Sequence, residues 1–277
     1  MTGFSATRCK CMFLSSAALF CIAGAAPVAA QSAAPAPDFQ SGNAGWVVMN
    51  RDGLAAPPSG FGPTRADPAH PYIPNATFRI ADVTSPNLKP WAAEAMRKSN
   101  EEVLAGKFPF TARSSCMPAG VPGFSLFVVE PVFFVQSPKE VLIIYSGDQQ
   151  VRRVSMNVPH SANPKPSWYG ESVGHYEGDT LVVDTIGLNA RTFLDNYRTP
   201  HTEKLHVIER YRLVNDGRVL ENLIWVEDPD TFNQPWSASQ RYRKVQQGPM
   251  DEQVCAENTR DTGLFGNNIP QAKQPDF

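Results

Sequence analysis

The sequence predicts a mainly β protein, an antiparallel β-barrel or a β-sandwich, carrying one helix and a long N-terminal arm. Three observations predict it. Short strand-like runs (SLFVVEPVFFVQ, EVLIIYSG, QVRRVSMNV, KLHVIERYRLV and RVLENLIWVE) succeed one another from Ser125 to Glu227 with no helical period between them, the pattern of antiparallel architectures. Two tight-turn signals, Gly178-Asp179 and Asp216-Gly217, separate such runs, and glycine supplies the positive φ that a two-residue hairpin needs. The 25 prolines cluster outside the strand region, where they mark extended or looped chain. A barrel with an internal cavity is the preferred form.

Taken in order, residues 1–30 read as a cleaved secretory signal. Arg8 and Lys10 precede an apolar run from Met12 to Ala26, and Val28-Ala29-Ala30 offers small residues before Gln31. The apolar run is short for a membrane span, so no stable membrane insertion is expected after cleavage, and the location is periplasmic or secreted. Residues 31–83 form a proline-rich arm (APAPD, AAPPSGFGPT, ADPAHPYIP), in which Trp46, Val47 and Val48 can add an edge strand or plug a groove. Residues 84–107 are the one long helix: Thr84 and Ser85 offer an N-cap, Pro90 lies near the start, and Trp91, Ala92, Ala95, Met96, Val103 and Leu104 recur at helical spacing. The β domain occupies 108–258 and a tail 259–277.

Of the five cysteines, Cys9, Cys11 and Cys21 leave with the signal, and Cys116 and Cys255 remain. In an oxidising compartment two cysteines with neither a zinc pattern nor a CxxC motif predict one disulfide, here stapling both ends of the β domain. A net charge of -2 without a basic run argues against nucleic acid or an anionic membrane as partner.

The two hairpins carry the candidate chemistry. Centred on Gly178-Asp179, the first sets Tyr176 opposite Leu181 and His175 opposite Val182, with Tyr176, Leu181 and Val183 on an apolar face. His175, Val182 and Asp184 take the other face. Centred on Asp216-Gly217, the second pairs Leu213 with Leu220, Tyr211 with Asn222, Glu209 with Ile224 and Val207 with Val226. That face is apolar except for Glu209, Tyr211 and Asn222, three polar groups that need partners if they are buried. They are either a polar patch in a ligand cavity, with Glu209 as acid or base, or a self-satisfying structural network. With the faces reversed, His206, Arg210 and Arg212 line the pocket instead. Trp168 and Tyr176 are aromatic contacts suited to the mouth of such a pocket.

No HExxH, paired CxxC, GxSxG or GxGxxG motif occurs, so neither a metal nor a nucleotide cofactor is expected.

The segments PSWYGESVGHYEGDTLVVDTIG, RTPHTEKLHVIERYR, EDPDTF with QPW, and CAEN resemble a family of exported bacterial proteins of uncharacterised function. Its marks are a (W/Y)EGDTLVVDT hairpin followed by an H(S/T)E-L-HV-ER strand. The resemblance covers about Cys116 to Asn258; Tyr176 stands where Trp is usual and Thr202 where Ser is usual. A looser likeness, of fold only, is to lipocalin-like barrels, some of which bind hydrophobic ligands and some of which run cofactor-free lyase chemistry.

Two functions follow as expectations. One is a cofactor-independent acid–base lyase, decarboxylase or isomerase acting on a small apolar or aromatic compound. In it Glu209 moves a proton, Tyr211 polarises or donates, and His201 or His175 assists, with Asn222, Asp184, Trp168, Tyr176, His206 and Arg210 shaping the pocket. The other is a binding protein with the same cavity and no chemistry. A third, structural reading has the arm dock on the barrel or on a partner.

Overall fold

A computed structural model describes residues 35–40, 44–50, 52–71, 73, 75, 78–112, 115–126, 130–246 and 254–255. The expected signal (1–30) and C-terminal tail (259–277) lie outside the described residues.

Among the described residues nine strands close into one barrel, in which each neighbours the next and the last returns to the first. They are β1 (Ala44–Val48), β2 (Val132–Gln136), β3 (Glu140–Tyr145), β4 (Gln150–Met156), β5 (Glu171–Glu177), β6 (Thr180–Ile186), β7 (His206–Val214), β8 (Val219–Glu227) and β9 (Trp236–Gln246). Both hairpins keep the register that their turn residues dictate. Tyr176 faces Leu181 and His175 faces Val182 across β5–β6; Glu209 faces Ile224 and Tyr211 faces Asn222 across β7–β8. Gly178 and Gly217 take φ of 60° and 75° at the turns, in the left-handed region that costs glycine little.

The barrel departs from the expected architecture in one pairing. β4 and β5 run parallel, with Val154 beside Ser172 and Met156 beside Gly174, so the barrel is mixed. The chain between Met156 and Glu171 travels back along the wall before β5 begins, and the two strands therefore point the same way. Gly174 permits the close approach: a Cβ there would stand 2.8 Å from Val154 Cγ1 and 3.0 Å from the Val182 carbonyl oxygen.

Closure, and with it the choice of barrel over sandwich, comes from the arm. β1 pairs with β9 from Ala44↔Gln246 to Val48↔Tyr242 and with β2 at Trp46↔Val132. Trp46 is wholly buried and its indole N–H donates to the Phe39 carbonyl at 2.9 Å. Residues read as an extended arm thus supply the strand that leaves the sheet without an edge.

Helix α1 spans Pro90–Leu104, starting six residues later than the N-cap expected at Thr84. Pro90 has no N–H to give and suits a first helical position. The residues before it are engaged elsewhere: Leu88 bridges to Phe232 and the Lys89 amide donates to the Thr231 carbonyl at 2.9 Å. Ala92 and Met96 pack in a cluster with Leu205, Val207, Ile224 and Val226. Asn100 clamps Ala81, accepting from its amide and donating to its carbonyl, both at 2.9 Å.

Inside the barrel the side chains are layered. Val207, Ile224 and Ala238 belong to the cluster beneath α1, whereas Tyr211, Leu220 and Tyr242 belong to a second one with Trp46, Phe134 and Ile143. Between these layers on the same three strands lie Glu209, Asn222 and Gln240, all buried. Alternate residues of a strand face one side, so the polar set forms a stratum across the lumen. A disulfide joins Cys116 to Cys255, whose Cα atoms are 5.4 Å apart.

Candidate functional site

The polar stratum centres on an ion pair across the lumen, Arg152 Nη1 to Glu209 Oε2 at 2.5 Å, with both side chains almost wholly shielded from water. Tyr211 donates its hydroxyl to Glu209 Oε1 at 2.7 Å and Asn222 donates its amide N–H to the same oxygen at 3.2 Å. Arg152 donates to Ser172 Oγ at 3.2 Å and to Thr185 Oγ1 at 2.8 Å. Burial by itself would lower the Arg152 pKa, but the adjacent Glu209 outweighs it and holds the guanidinium charged. Burial, reinforced by the Glu209 carboxylate, pushes the Tyr211 phenol well above its ordinary range. Arg152 is the member that strand-by-strand inspection of the two hairpins misses. Its signal is the alternation in QVRRVSM, which sets Arg152 on one face with Val154 and Met156.

His206, Asp184, His175 and Arg210 stand on the outer wall, because they alternate with the inward residues of β5, β6 and β7. Asp184 Oδ1 meets His206 Nε2 at 2.9 Å and His160 Nε2 at 3.0 Å. The other nitrogen of His160 meets Glu171 Oε1 at 3.0 Å, and Ser161 donates to Glu171 through both its amide and its hydroxyl. These contacts fasten the β4–β5 crossover to the wall. His206 also packs edge-on against Trp225. His175 is exposed and meets Glu177 Oε1 at 3.1 Å, while Arg210 pairs with the other oxygen of Glu177. Among the described residues no three His, Cys, Asp or Glu side chains converge to hold a metal ion.

His206 and Asp184 make the wall pH-sensitive. The hydrogen bond to Asp184 raises His206 above the ordinary histidine range, against the opposing effect of burial. For Asp184 burial acts upward, but the hydrogen bonds from His206 and His160 prevail and hold it below the usual carboxylate range. The histidine contribution is complete below its ordinary pKa of about 6.5 and is lost as pH rises through the raised value. The aspartate contribution is present above its ordinary value of about 3.9 and is lost as pH falls through the lowered one. The stability difference between the wild type and His206→Gln, measured by urea unfolding, should therefore peak between about pH 4 and 6.5 and shrink in alkali. A difference that fails to shrink as the pH rises above about 6.5 into alkali contradicts the pairing.

His201 belongs to neither group. Its Nδ1–H donates to the Thr202 carbonyl at 2.9 Å, so Nε2 accepts from the Thr192 hydroxyl at 2.8 Å. Burial lowers its pKa, and the ring serves as a neutral brace between two loops. Trp168 is half-buried beside the Ser167↔Leu188 bridge. The Tyr176 hydroxyl accepts from Gln136 Nε2 at 2.9 Å at the edge of the Trp46 cluster. The expected site residues are thus divided among the lumen, the outer wall and the loops at the barrel's ends.

A cavity of about 260 Å³ lies outside the barrel, between residues 60–65, residues 82–88 and Phe232. Phe61, Pro63, Pro86, Leu88 and Phe232 are its apolar walls, and Arg65 and Asp82 its charged ones. A second cavity, of about 210 Å³, shares Asp82 and Thr84 with the first and lies against α1. The walls are tied down. The Phe61 carbonyl accepts from Ser237 at 3.1 Å and the Arg65 carbonyl from Asp82 at 2.9 Å. Thr64 and Thr199 share a hydroxyl contact of 2.6 Å, and Thr199 donates in turn to the buried Asp195. No sequence signal marks this cleft, because it is built from irregular segments that meet only in the folded chain.

The chain matches no protein-family model and no curated protein. No helix among the described residues is long and apolar enough to cross a membrane.

Proposed function

We propose that this chain is an exported binding protein for a small apolar or aromatic molecule, held outside the barrel in the cleft between residues 60–65, 82–88 and Phe232. One observation carries the proposal: Arg152, Glu209 and Tyr211 in the lumen are engaged with one another and with the Asn222 amide nitrogen, whereas the cleft combines apolar side chains with open volume. Small-molecule sites are concave and join apolar walls to placed polar groups, and this cleft has both, with polar residues making up a large share of its lining. At about 260 Å³ the cleft falls just under the usual ~300–1,000 Å³ of drug-sized ligands and suits a compact compound. Export to the periplasm or beyond rests on the N-terminal pattern and on the family resemblance, and a disulfide between Cys116 and Cys255 accords with an oxidising compartment.

Binding is preferred here to acid–base catalysis. A substrate taking a proton from Glu209 or Tyr211 would have to enter between two groups that already bond each other at 2.7 Å, in a stratum with apolar layers on either side. His206 and Asp184, the accessible pair, face away from it on the outer wall.

Calorimetric titration of the purified protein with a panel of small aromatic and aliphatic compounds, beside mass spectrometry of the native protein for a retained molecule, tests the proposal. Ser85 lines the cleft and lies outside the core. Ser85→Trp should fill the cleft and abolish binding while leaving the melting temperature unchanged. Undiminished affinity in that variant removes the cleft as the site.

A further inference from the structure

Resting on the cleft as the binding site, we infer that its ligand is a zwitterion, an α-amino acid with an apolar side chain. Arg65 and Asp82 stand opposite each other on a short antiparallel ladder. Ala66 bridges Ala81, the Asp82 amide donates to the Arg65 carbonyl at 2.9 Å and the Asp67 amide to the Ile80 carbonyl at 3.0 Å. Directly opposed residues on such a ladder have Cα atoms roughly 4.5–5.5 Å apart, and both residues line the cleft. They nevertheless form no ion pair. Asp82 Oδ1 is turned to Thr84, accepting from its amide at 2.9 Å and its hydroxyl at 2.6 Å. The Arg65 guanidinium has neither a hydrogen-bonding nor an ionic partner among the described residues, whereas Arg97, Arg153, Arg210, Arg212 and Arg241 each meet a carboxylate.

One end of the cleft therefore presents a cation and an anion side by side with the cation unused, and Phe61, Leu88 and Phe232 supply apolar surface beside the polar Thr64, Thr84, Ser85 and Asn87. A lone carboxylate would satisfy Arg65 but meet repulsion from Asp82, and a lone amine the reverse. An α-amino acid brings both charges on adjacent atoms: its carboxylate matches the planar guanidinium fork, and its ammonium matches the free side of Asp82. Its side chain would lie along Phe61, Leu88 and Phe232. Since an apolar pocket discriminates weakly between side chains of similar size, the structure assigns the head group and leaves several apolar side chains acceptable.

Titration calorimetry with L-phenylalanine, L-leucine, 3-phenylpropionate and phenethylamine, on the wild type, Arg65→Gln, Asp82→Asn and Ser85→Trp, tests the inference. Asn keeps the acceptor that Thr84 needs, and Arg65 is exposed, so both charge variants should melt with the wild type. The wild type should bind at least one of the two amino acids about tenfold or more tighter than either single-charge analogue. Arg65→Gln should bring L-phenylalanine down to the level of phenethylamine, and Asp82→Asn to that of 3-phenylpropionate. If the analogues bind as well as the amino acids and the charge variants change nothing, the zwitterion is overturned; loss of binding in Ser85→Trp then leaves the cleft standing as the site. If all four probes bind and Ser85→Trp does not weaken them, the cleft itself is wrong and the inference falls with it. If no probe binds the wild type at millimolar concentration, the amino-acid assignment is rejected, while binding of other compounds that Ser85→Trp abolishes keeps the cleft.

Discussion

Arg152→Met should lower the stability of the protein by about 3–5 kcal/mol, the usual cost of stripping one partner from a buried ion pair. For a domain of this size that is a fall in melting temperature of roughly 6–20 °C. The cause is the charge left behind. Glu209 is wholly inaccessible to solvent, and Tyr211 and Asn222 give it hydrogen bonds but no countercharge. Glu209→Gln should destabilise for the mirror-image reason, since the Arg152 cation keeps only Ser172 and Thr185. The two effects share one interaction and should not add: Arg152→Met with Glu209→Gln should be more stable than Arg152→Met alone, because no uncompensated charge remains. Urea unfolding of the two single variants and the double variant measures the cycle. Single variants that melt with the wild type would mean that water reaches the pair. The result also governs how an activity assay is read. From sequence alone Glu209→Gln is a test of proton transfer, but in the folded barrel it also strands a cation, so lost activity must be set against lost stability.

Reduction of the Cys116–Cys255 disulfide, or Cys116→Ser, should be comparably costly. The bond spans 139 positions, and on the chain-entropy model a loop of that length is worth at most about 5 kcal/mol. The bond ties a segment just before β2 to one just after β9. Cys116 is followed by the irregular chain around Pro118 and Pro122, whose Val121 and Phe124 pack in the two core clusters, so the bond reinforces an anchorage that the core already gives. Thermal melts with and without reductant should differ by as much as roughly 10–20 °C. Thiol titration of the unfolded, unreduced chain beginning at Gln31, without Cys9, Cys11 and Cys21, should find no free thiol, and two reactive thiols per chain would remove the link.

The sequence by itself determined the hairpins, their registers and the two faces of each. Local rules suffice there: Gly178 and Gly217 can occupy the left-handed region, and period-2 alternation then sorts Leu181 and Val183 from His175 and Asp184 without reference to the rest of the chain. It determined also that Glu209, Tyr211 and Asn222 share an apolar face and need partners. Tertiary structure alone decided who those partners are. Arg152 lies on β4, separated from β7 by two intervening strands, and only closure of the barrel carries it across the lumen to Glu209. Closure in turn depends on β1, five residues inside a proline-rich arm whose pairing with β9 joins positions some two hundred residues apart. The parallel β4–β5 pair, the late start of α1 at Pro90 and the cleft between Arg65, Asp82 and Phe232 were undetermined for the same reason. Each depends on which distant segment occupies the space alongside, and neither periodicity nor turn chemistry encodes that, because both act over a few residues while closing a barrel is a condition on the whole chain.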